Sequence, residues 1–215
     1  AAVALVQRLQ GSARLRYAGL HAYHGGAQHL RTVAERRNAI GQAALRVAAT
    51  RDALAQANLA PAIITGGGTG TFGLEAASGL WNELQPGSFL FMDADYARNE
   101  RDNAQPAFEQ ALFVKSQVIS VQDGHAVCDA GCKSIALDSG PPLVHALPGQ
   151  PALIYASGGD EHGILRPLPA VGDTVWLIPS HCDPTVNLHD AMIAVQGGLA
   201  AGTVSAVVRV DARGA

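Results

Sequence analysis

A histidine and an aspartate two residues apart, His181 and Asp183, are the pair of side chains best suited to chemistry in this sequence. They follow a short apolar run, residues 175–178, that predicts a β-strand. In extended backbone, side chains two residues apart point to the same side, so the imidazole and the carboxylate could bind one divalent metal. The intervening Cys182 would point to the opposite side and is disfavoured as a ligand unless the backbone turns. A metal with two protein ligands keeps positions for water or substrate, which is typical of catalytic sites; an exposed Pro-Thr turn is the alternative.

Glycines are concentrated in residues 66–71, where a predicted short strand (62–65) leads into a predicted helix (72–78). Glycine lets backbone N–H groups approach an anion, and a helix N-terminus adds a positive partial charge. The segment therefore predicts binding of the phosphate of a small cofactor. The spacing G-x-G-x-x-G over residues 68–73, with Asp93 about 20 residues further on, also permits a dinucleotide interpretation. A tight turn without a ligand is the third possibility, and a P-loop is excluded because no lysine follows the glycines.

Four side chains near the end of the first predicted strand could contact a flat cofactor or move a proton: His21, Tyr23, His24 and His29. In parallel β/α units, ligand-binding groups gather at the carboxyl ends of the strands. A tyrosine there can stack on a flat cofactor, and a histidine can serve as a base near neutral pH. A polar rim without a ligand is the alternative. Residues 160–163, Asp-Glu-His-Gly, could add a metal ligand, although a solvated turn is favoured, and residues 138–142 are predicted to form another turn.

The composition indicates a globular protein with a real core, because 48% of its residues are hydrophobic and 15% are charged. The net charge of -3 excludes nucleic acid as an expected partner, and no apolar run approaches the roughly 20 residues that span a bilayer. The three cysteines have no disulfide-framework spacing. We expect free thiols and a cytoplasmic location.

The order of predicted elements divides the chain near residue 105. Before it, a helix (1–10), strands (15–23, 62–65, 88–93) and helices (27–57, 72–78) alternate, which predicts parallel β/α units. After it, short strands follow one another without a long helix, which predicts an antiparallel β domain. Those strands are residues 111–121, 125–129, 135–138, 152–156, 174–178 and 204–210. We therefore predict an α/β domain at 1–105 and an antiparallel β domain at 106–215.

Five segments together resemble the D-threonine aldolases, and more broadly the group that also contains metal-dependent D-serine dehydratases and D-3-hydroxyaspartate aldolases. They are residues 19–25, 66–71, 86–96, 160–163 and 172–190, and the last is the most specific. The resemblance implies the fold-type III architecture of alanine racemase. This chain would then form the C-terminal part of a TIM-like β/α barrel, which binds pyridoxal 5'-phosphate, followed by an antiparallel β domain that carries a metal site.

The activity that the resemblance implies is retro-aldol cleavage of D-threonine and related D-β-hydroxy-α-amino acids to glycine and an aldehyde. Pyridoxal phosphate and a divalent metal would be required, and we expect Mn²⁺ ahead of Mg²⁺, Co²⁺ or Zn²⁺. By position, the resemblance implies that His181 and Asp183 are the metal ligands and that His29 is the candidate base. Tyr23 and Tyr96 would be tyrosines of the cofactor pocket, and Tyr23 would also be a catalytic residue. The phosphate contacts would be Gly67, Gly68 and Thr69.

The chain departs from this family in its lysines. Fold-type III enzymes carry a Schiff-base lysine on the first barrel strand, whereas Lys115 and Lys133, the two lysines here, both fall in the predicted β domain. We therefore expect the N-terminal half of the enzyme, with its lysine, on a separate or unrecorded chain, and a homodimer as the assembly. The dehydratases of the group carry His-x-Cys where this chain has His-x-Asp, which favours an aldolase. A dehydratase, a non-catalytic cofactor-binding fragment and a dinucleotide oxidoreductase are the alternatives.

Overall fold

The structure, a computed structural model, describes residues 1–103, 105–149 and 151–214. They fall into two compact units. Unit 1 contains the described residues of 1–89 and 98–107, and unit 2 contains those of 90–97 and 108–215. No helix in these described ranges is long and apolar enough to cross a membrane.

Unit 1 is built on a parallel sheet, as the sequence predicts. Strands β1 (Gly19–His21), β2 (Ile63–Gly66) and β3 (Glu83–Leu84) lie in that order, with Leu20 beside Ile64 and Thr65 beside Glu83. The helices are α1 (Ala2–Gln10), α2 (Val33–Gln56) and α3 (Phe72–Ser78), and two 3₁₀ turns occupy Gly25–His29 and Ser88–Leu90.

Helix α2 begins later than the predicted residue 27, because Thr32 and Glu35 form a capping box. The Thr32 hydroxyl accepts from the Glu35 N–H at 3.2 Å, and a Glu35 carboxylate oxygen accepts from the Thr32 N–H at 3.0 Å. The helix buries Leu54 completely, against Val6 of α1 and Leu59.

A second cluster fixes the end of β2. Trp81 packs against Val47 and Ile64, and its indole N–H donates to the Ala22 carbonyl at 3.0 Å. A Cβ at Gly66 would meet that indole nitrogen at 2.7 Å, so only glycine allows this approach of strand to tryptophan. The glycine segment thus begins from a well-anchored strand end.

Unit 2 is an antiparallel six-stranded sheet in the order β6-β9-β4-β5-β8-β7, together with a separate two-stranded ribbon. The strands of the sheet are β4 (Val114–Gln122), β5 (His125–Cys128), β6 (Leu143–His145), β7 (Ile154–Ser157), β8 (Gly163–Arg166) and β9 (Thr174–Ile178), and those of the ribbon are β10 (Ala191–Gln196) and β11 (Thr203–Arg209). The core contains Val118, Cys128, Tyr155, Leu165 and Leu177, among others. The predicted fold class, α/β units followed by an antiparallel β domain, is confirmed.

The segment at residues 88–97 corrects the predicted strand at 88–93. It forms a 3₁₀ turn and then helix α4 (Ala94–Ala97), with Met92 at a positive φ of 48° that a strand does not adopt. Residues 90–97 belong to unit 2, because the Ala94 N–H donates to the Pro179 carbonyl at 2.9 Å and the Asp95 N–H to that of Ser180 at 3.3 Å.

The predicted strand at 135–138 is also wrong. Ile135 is fully buried in the core of unit 2, but its N–H donates to the Gly131 carbonyl in a local turn rather than to a neighbouring strand. Cys128, Cys132 and Cys182 are free thiols in the described structure.

Candidate functional site

The His181–Asp183 segment of unit 2 lies at a helix start, not in extended backbone. His181 caps helix α5 (Cys182–Asn187) with extended angles, φ −141° and ψ 116°, and Asp183 lies in the first turn of that helix. The Thr185 hydroxyl donates to the His181 carbonyl at 2.8 Å and stabilises this turn. The same-side argument drawn from strand geometry is therefore wrong. Pro184 was the missed signal, since proline is well tolerated in the first turn of a helix.

The His181 ring is oriented by a residue that sequence reasoning assigned only to a turn. Its Nδ1 atom donates to a carboxylate oxygen of Asp138 at 2.6 Å, which leaves Nε2 as the ring nitrogen able to bind a metal. Partial burial acts to raise the pKa of Asp138, but the hydrogen bond from His181 and its charge outweigh this, so the pKa lies below its ordinary value. No sequence signal links Asp138 to a histidine 43 residues away.

Cys182 is buried, whereas Asp183 is exposed. Burial, followed by the charges of Asp93 and Asp183, raises the pKa of its thiol to about 12. The exposed carboxylate of Asp183 is therefore more accessible than the buried thiol as the partner of His181.

Asp93 acts as a structural residue of unit 2 rather than as the acidic end of a dinucleotide fingerprint. Its buried carboxylate accepts from the N–H of Tyr96 at 2.9 Å and from that of Cys182, at the start of α5. Burial raises its pKa in spite of these hydrogen bonds. Asp93 thus ties α4, which carries the predicted pocket residue Tyr96, to the helix that follows His181.

The side chains of unit 2 can bind a metal only if water or substrate completes the coordination. Within the described ranges, no three or more His, Cys, Asp or Glu side chains are grouped so that they could hold a metal ion. His181 and Asp183 offer the imidazole and carboxylate that many divalent metals accept, with water or substrate completing the coordination. Residues 160–163 do not add to it, because Asp160 and Glu161 are exposed and form ion pairs with Lys133.

The glycine segment of unit 1 lies against Tyr23 and Gln28. A Cβ at Gly68 would stand 2.5 Å from the Tyr23 hydroxyl oxygen and 2.6 Å from the Gln28 side-chain oxygen. Gln28 is fully buried; it accepts from the Gly70 N–H at 3.0 Å and donates to the Thr71 hydroxyl at 2.7 Å. The structure therefore brings Tyr23 to the glycine segment, and it adds Gln28, which no sequence motif indicated.

This segment fits a phosphate group. Within the described part of the chain, the N–H groups of Gly67, Gly68 and Thr69 have no hydrogen-bond partner, although Gly68 and Thr69 are buried. Buried donors of this kind are normally satisfied, so an anion is the natural acceptor. Gly67 has a φ of +76°, which orients its peptide groups in a way that other residues rarely adopt.

The histidines of unit 1 have different surroundings. The Nε2 atom of His21 is 3.0 Å from the Gln85 side-chain oxygen, and its ring stacks on that of Tyr23 with centroids 6.3 Å apart. His29 ends the 3₁₀ turn that begins at Gly25. The Tyr23 side chain is exposed and so remains accessible to a flat ligand.

Glu75, on α3, is the buried acid of unit 1. One of its carboxylate oxygens accepts from the Thr71 hydroxyl at 2.8 Å, and the other has no hydrogen-bond partner in the described structure. Burial raises the pKa of Glu75, and the hydrogen bond from Thr71 and the charge of His24 offset this only in part. The ionised form of Glu75 is therefore disfavoured in the folded protein.

Replacing Glu75 with glutamine is expected to stabilise the protein increasingly as the pH rises. Because the folded-state pKa is raised, the favourable contribution of Glu75 is complete below its unfolded value and is lost as the pH rises through the folded value. Glutamine is neutral throughout and keeps the acceptor for Thr71. The measurement is the free energy of unfolding in urea at pH 4.5 and pH 7.5, with the exposed Glu83→Gln as matched control. The prediction is contradicted if the free energies of unfolding of Glu75→Gln and the parent differ by the same amount at both pH values.

Comparison with known proteins shows what this chain is similar to. Residues 111–195 match a family described as "Putative serine dehydratase domain". Among curated relatives, a D-threonine aldolase from Arthrobacter sp. is 42% identical over 99% of this chain and 55% of its own length. A 3-hydroxy-D-aspartate aldolase from Paracoccus denitrificans is 38% identical over all of this chain and 56% of its own length. The crystal structure of D-threonine aldolase from Filomicrobium marinum superposes with a TM-score of 0.89 at 43% identity, covering 99% of this chain and 57% of that one.

The chain is a homologue of the D-threonine aldolases, and the resemblance predicted from its sequence is confirmed. It spans about half the length of the relatives that it matches.

Proposed function

We propose that this chain carries the phosphate-binding and metal-binding parts of a pyridoxal phosphate- and divalent metal-dependent aldehyde-lyase. The proposed reaction is cleavage of D-threonine and related D-β-hydroxy-α-amino acids to glycine and an aldehyde. The observation that carries the proposal is the relationship to a D-threonine aldolase over nearly the whole chain, which includes both units.

The proposed roles of the unit 1 residues rest on the glycine segment and, for His29, on the family resemblance. The backbone N–H groups of Gly67, Gly68 and Thr69 bind the cofactor phosphate, and Tyr23, whose hydroxyl lies beside Gly68, contacts the cofactor. His29 is the proposed base and accepts the proton of the substrate β-hydroxyl at a ring nitrogen. Bound cofactor supplies an electron sink for the broken bond, and bound metal lowers the pKa of the hydroxyl.

The unit 2 residues hold the metal. His181 binds it through Nε2 and Asp183 through a carboxylate oxygen, and Tyr96 is retained as a pocket residue. This chain has Asp183 where a His-x-Cys site would place its cysteine, which favours an aldolase over the dehydratases of this group. We propose Mn²⁺ as the metal, with Mg²⁺, Co²⁺ and Zn²⁺ as alternatives.

The lysine that attaches the cofactor is proposed to lie outside this sequence. Lys133 is paired with Glu161, and the Lys115 ammonium lies 5.9 Å from the centre of the Trp176 ring, both within unit 2. Neither belongs to the unit that contains the glycine segment. Intact mass measurement and a denaturing gel of active protein should reveal a longer chain or a second, lysine-bearing polypeptide.

The proposed function predicts which products form. Purified active protein, supplied with pyridoxal phosphate and Mn²⁺, should release glycine and acetaldehyde from D-threonine, and chelation with EDTA should abolish this until Mn²⁺ is restored. 3-Hydroxy-D-aspartate is the second substrate to test, because a relative named for it is 38% identical. Formation of a keto acid and ammonia would instead identify a dehydratase, and no turnover by protein containing all chains would favour a non-catalytic module.

A further inference from the structure

Asp138 contacts His181 in unit 2 but is not one of the two proposed metal ligands. We propose that Asp138 is a positioning residue of the metal site, which fixes the tautomer and the ring orientation of His181 so that Nε2 faces the metal. The inference rests on the proposed function, since it requires His181 to be a ligand.

The chemistry of imidazole requires such a partner. A neutral histidine carries its proton on one ring nitrogen and offers the other to a metal, and the hydrogen bond at the protonated nitrogen decides which is which. The 2.6 Å separation between Nδ1 of His181 and the Asp138 carboxylate is short for a hydrogen bond from nitrogen to oxygen. The carboxylate therefore assigns the proton to Nδ1 and the metal to Nε2.

Asp138 is itself held in place. The Ser139 hydroxyl donates to the same Asp138 oxygen at 3.2 Å. Two residues further on, the Pro141 carbonyl accepts from the hydroxyl of Ser180 at 2.6 Å, and Ser180 is fully buried next to His181. The turn that carries Asp138 is thus joined to the residue before the ligand as well as to the ligand.

The contact is better suited to positioning than to stabilising the fold. The side chains of His181 and Asp138 remain 34% and 51% exposed, and ion pairs with this exposure contribute little to folding stability. A residue that orients a metal ligand has a larger effect, because losing such a partner typically weakens metal binding about 10–100-fold.

The test is the Mn²⁺ dissociation constant of purified active protein, measured from the electron paramagnetic resonance signal of free Mn²⁺. Asp138→Ala is expected to raise the constant about 10–100-fold. Asp138→Asn keeps an oxygen that can accept from Nδ1, so a smaller increase is expected. Ser139→Ala, which leaves the contact with His181 in place, should change it least. The absorbance band of bound pyridoxal phosphate should be the same in all three variants.

An unchanged constant in Asp138→Ala overturns the inference. His181→Ala separates this failure from that of the proposed function. If His181→Ala loses Mn²⁺ and Asp138→Ala does not, only the positioning role is wrong; if both bind Mn²⁺ normally, the metal site itself is wrong. Asparagine has nearly the same shape as aspartate. A dissociation constant that rises slightly in Asp138→Asn and strongly in Asp138→Ala therefore indicates lost orientation of His181 rather than misfolding.

Discussion

Replacement of Asp183 with alanine is expected to abolish metal-dependent cleavage of D-threonine while pyridoxal phosphate remains bound. In the proposed function, Asp183 supplies one of the two protein ligands to the metal, and removal of one leaves His181 alone. A metal at a reacting oxygen contributes several kcal/mol of transition-state stabilisation. Since each 1.4 kcal/mol corresponds to about a tenfold change in rate, we expect kcat/KM to fall by at least about 10³-fold. The measurements are the rate of acetaldehyde release and bound Mn²⁺ per chain.

Two further variants separate this effect from damage to helix α5. Asp183 lies in the first turn, where an acidic side chain interacts favourably with the helix dipole, so alanine also costs roughly 0.3–1 kcal/mol of helix stability. Asp183→Asn keeps a polar group of the same shape in that turn and should still lose activity. Asp211→Ala, which removes an almost fully exposed carboxylate of the same unit, should leave both rate and metal content unchanged. Normal activity in Asp183→Ala would remove this residue from the mechanism.

The sequence predicts well the elements whose signals are local. Strand β9 and helix α3 have the predicted bounds, because an apolar run closed by proline and a glycine-to-helix transition are each contained within a few residues. The apolar run at 88–93 misled for the opposite reason. The two residues that follow the run, Ala94 and Asp95, bond to Pro179 and Ser180, about 85 residues away, and no local pattern encodes these contacts.

In the candidate site, too, only the features with local signals could be predicted from the sequence. His181 and Asp183 could be selected from residue types alone, whereas their geometry depends on where α5 begins. Asp138 and Gln28 could not be found, because each acts on a segment 40 or more residues away: Asp138 on His181 and Gln28 on Gly70. Residues that bind a ligand can have recognisable types and spacing, but the residues that orient them are set by tertiary contacts.

Replacement of Gly68 with alanine is expected to weaken binding of pyridoxal phosphate about 10–100-fold. The added Cβ would stand 2.5 Å from the Tyr23 hydroxyl and 2.6 Å from the Gln28 side-chain oxygen, closer than non-bonded atoms approach. Gln28 cannot retreat freely, because its side chain is hydrogen-bonded to Gly70 and Thr71 and is fully buried. The glycine segment must therefore shift, which removes one or more N–H donors from the phosphate. Each hydrogen bond to a charged group contributes about 1.5–3 kcal/mol.

The readout that isolates this effect compares two ligands of the active protein. Pyridoxal phosphate should lose affinity in Gly68→Ala, whereas pyridoxal, which lacks the phosphate, should lose much less, because the shifted N–H groups have no acceptor on it. Gly41→Ala is the matched control in unit 1; its added Cβ meets nothing within 4 Å, and alanine on helix α2 should stabilise the fold by roughly 0.5–1 kcal/mol. Equal losses for both ligands would place the damage in the pocket wall formed by Tyr23 rather than at the phosphate, and unchanged affinity for both would remove the glycine segment from the cofactor site.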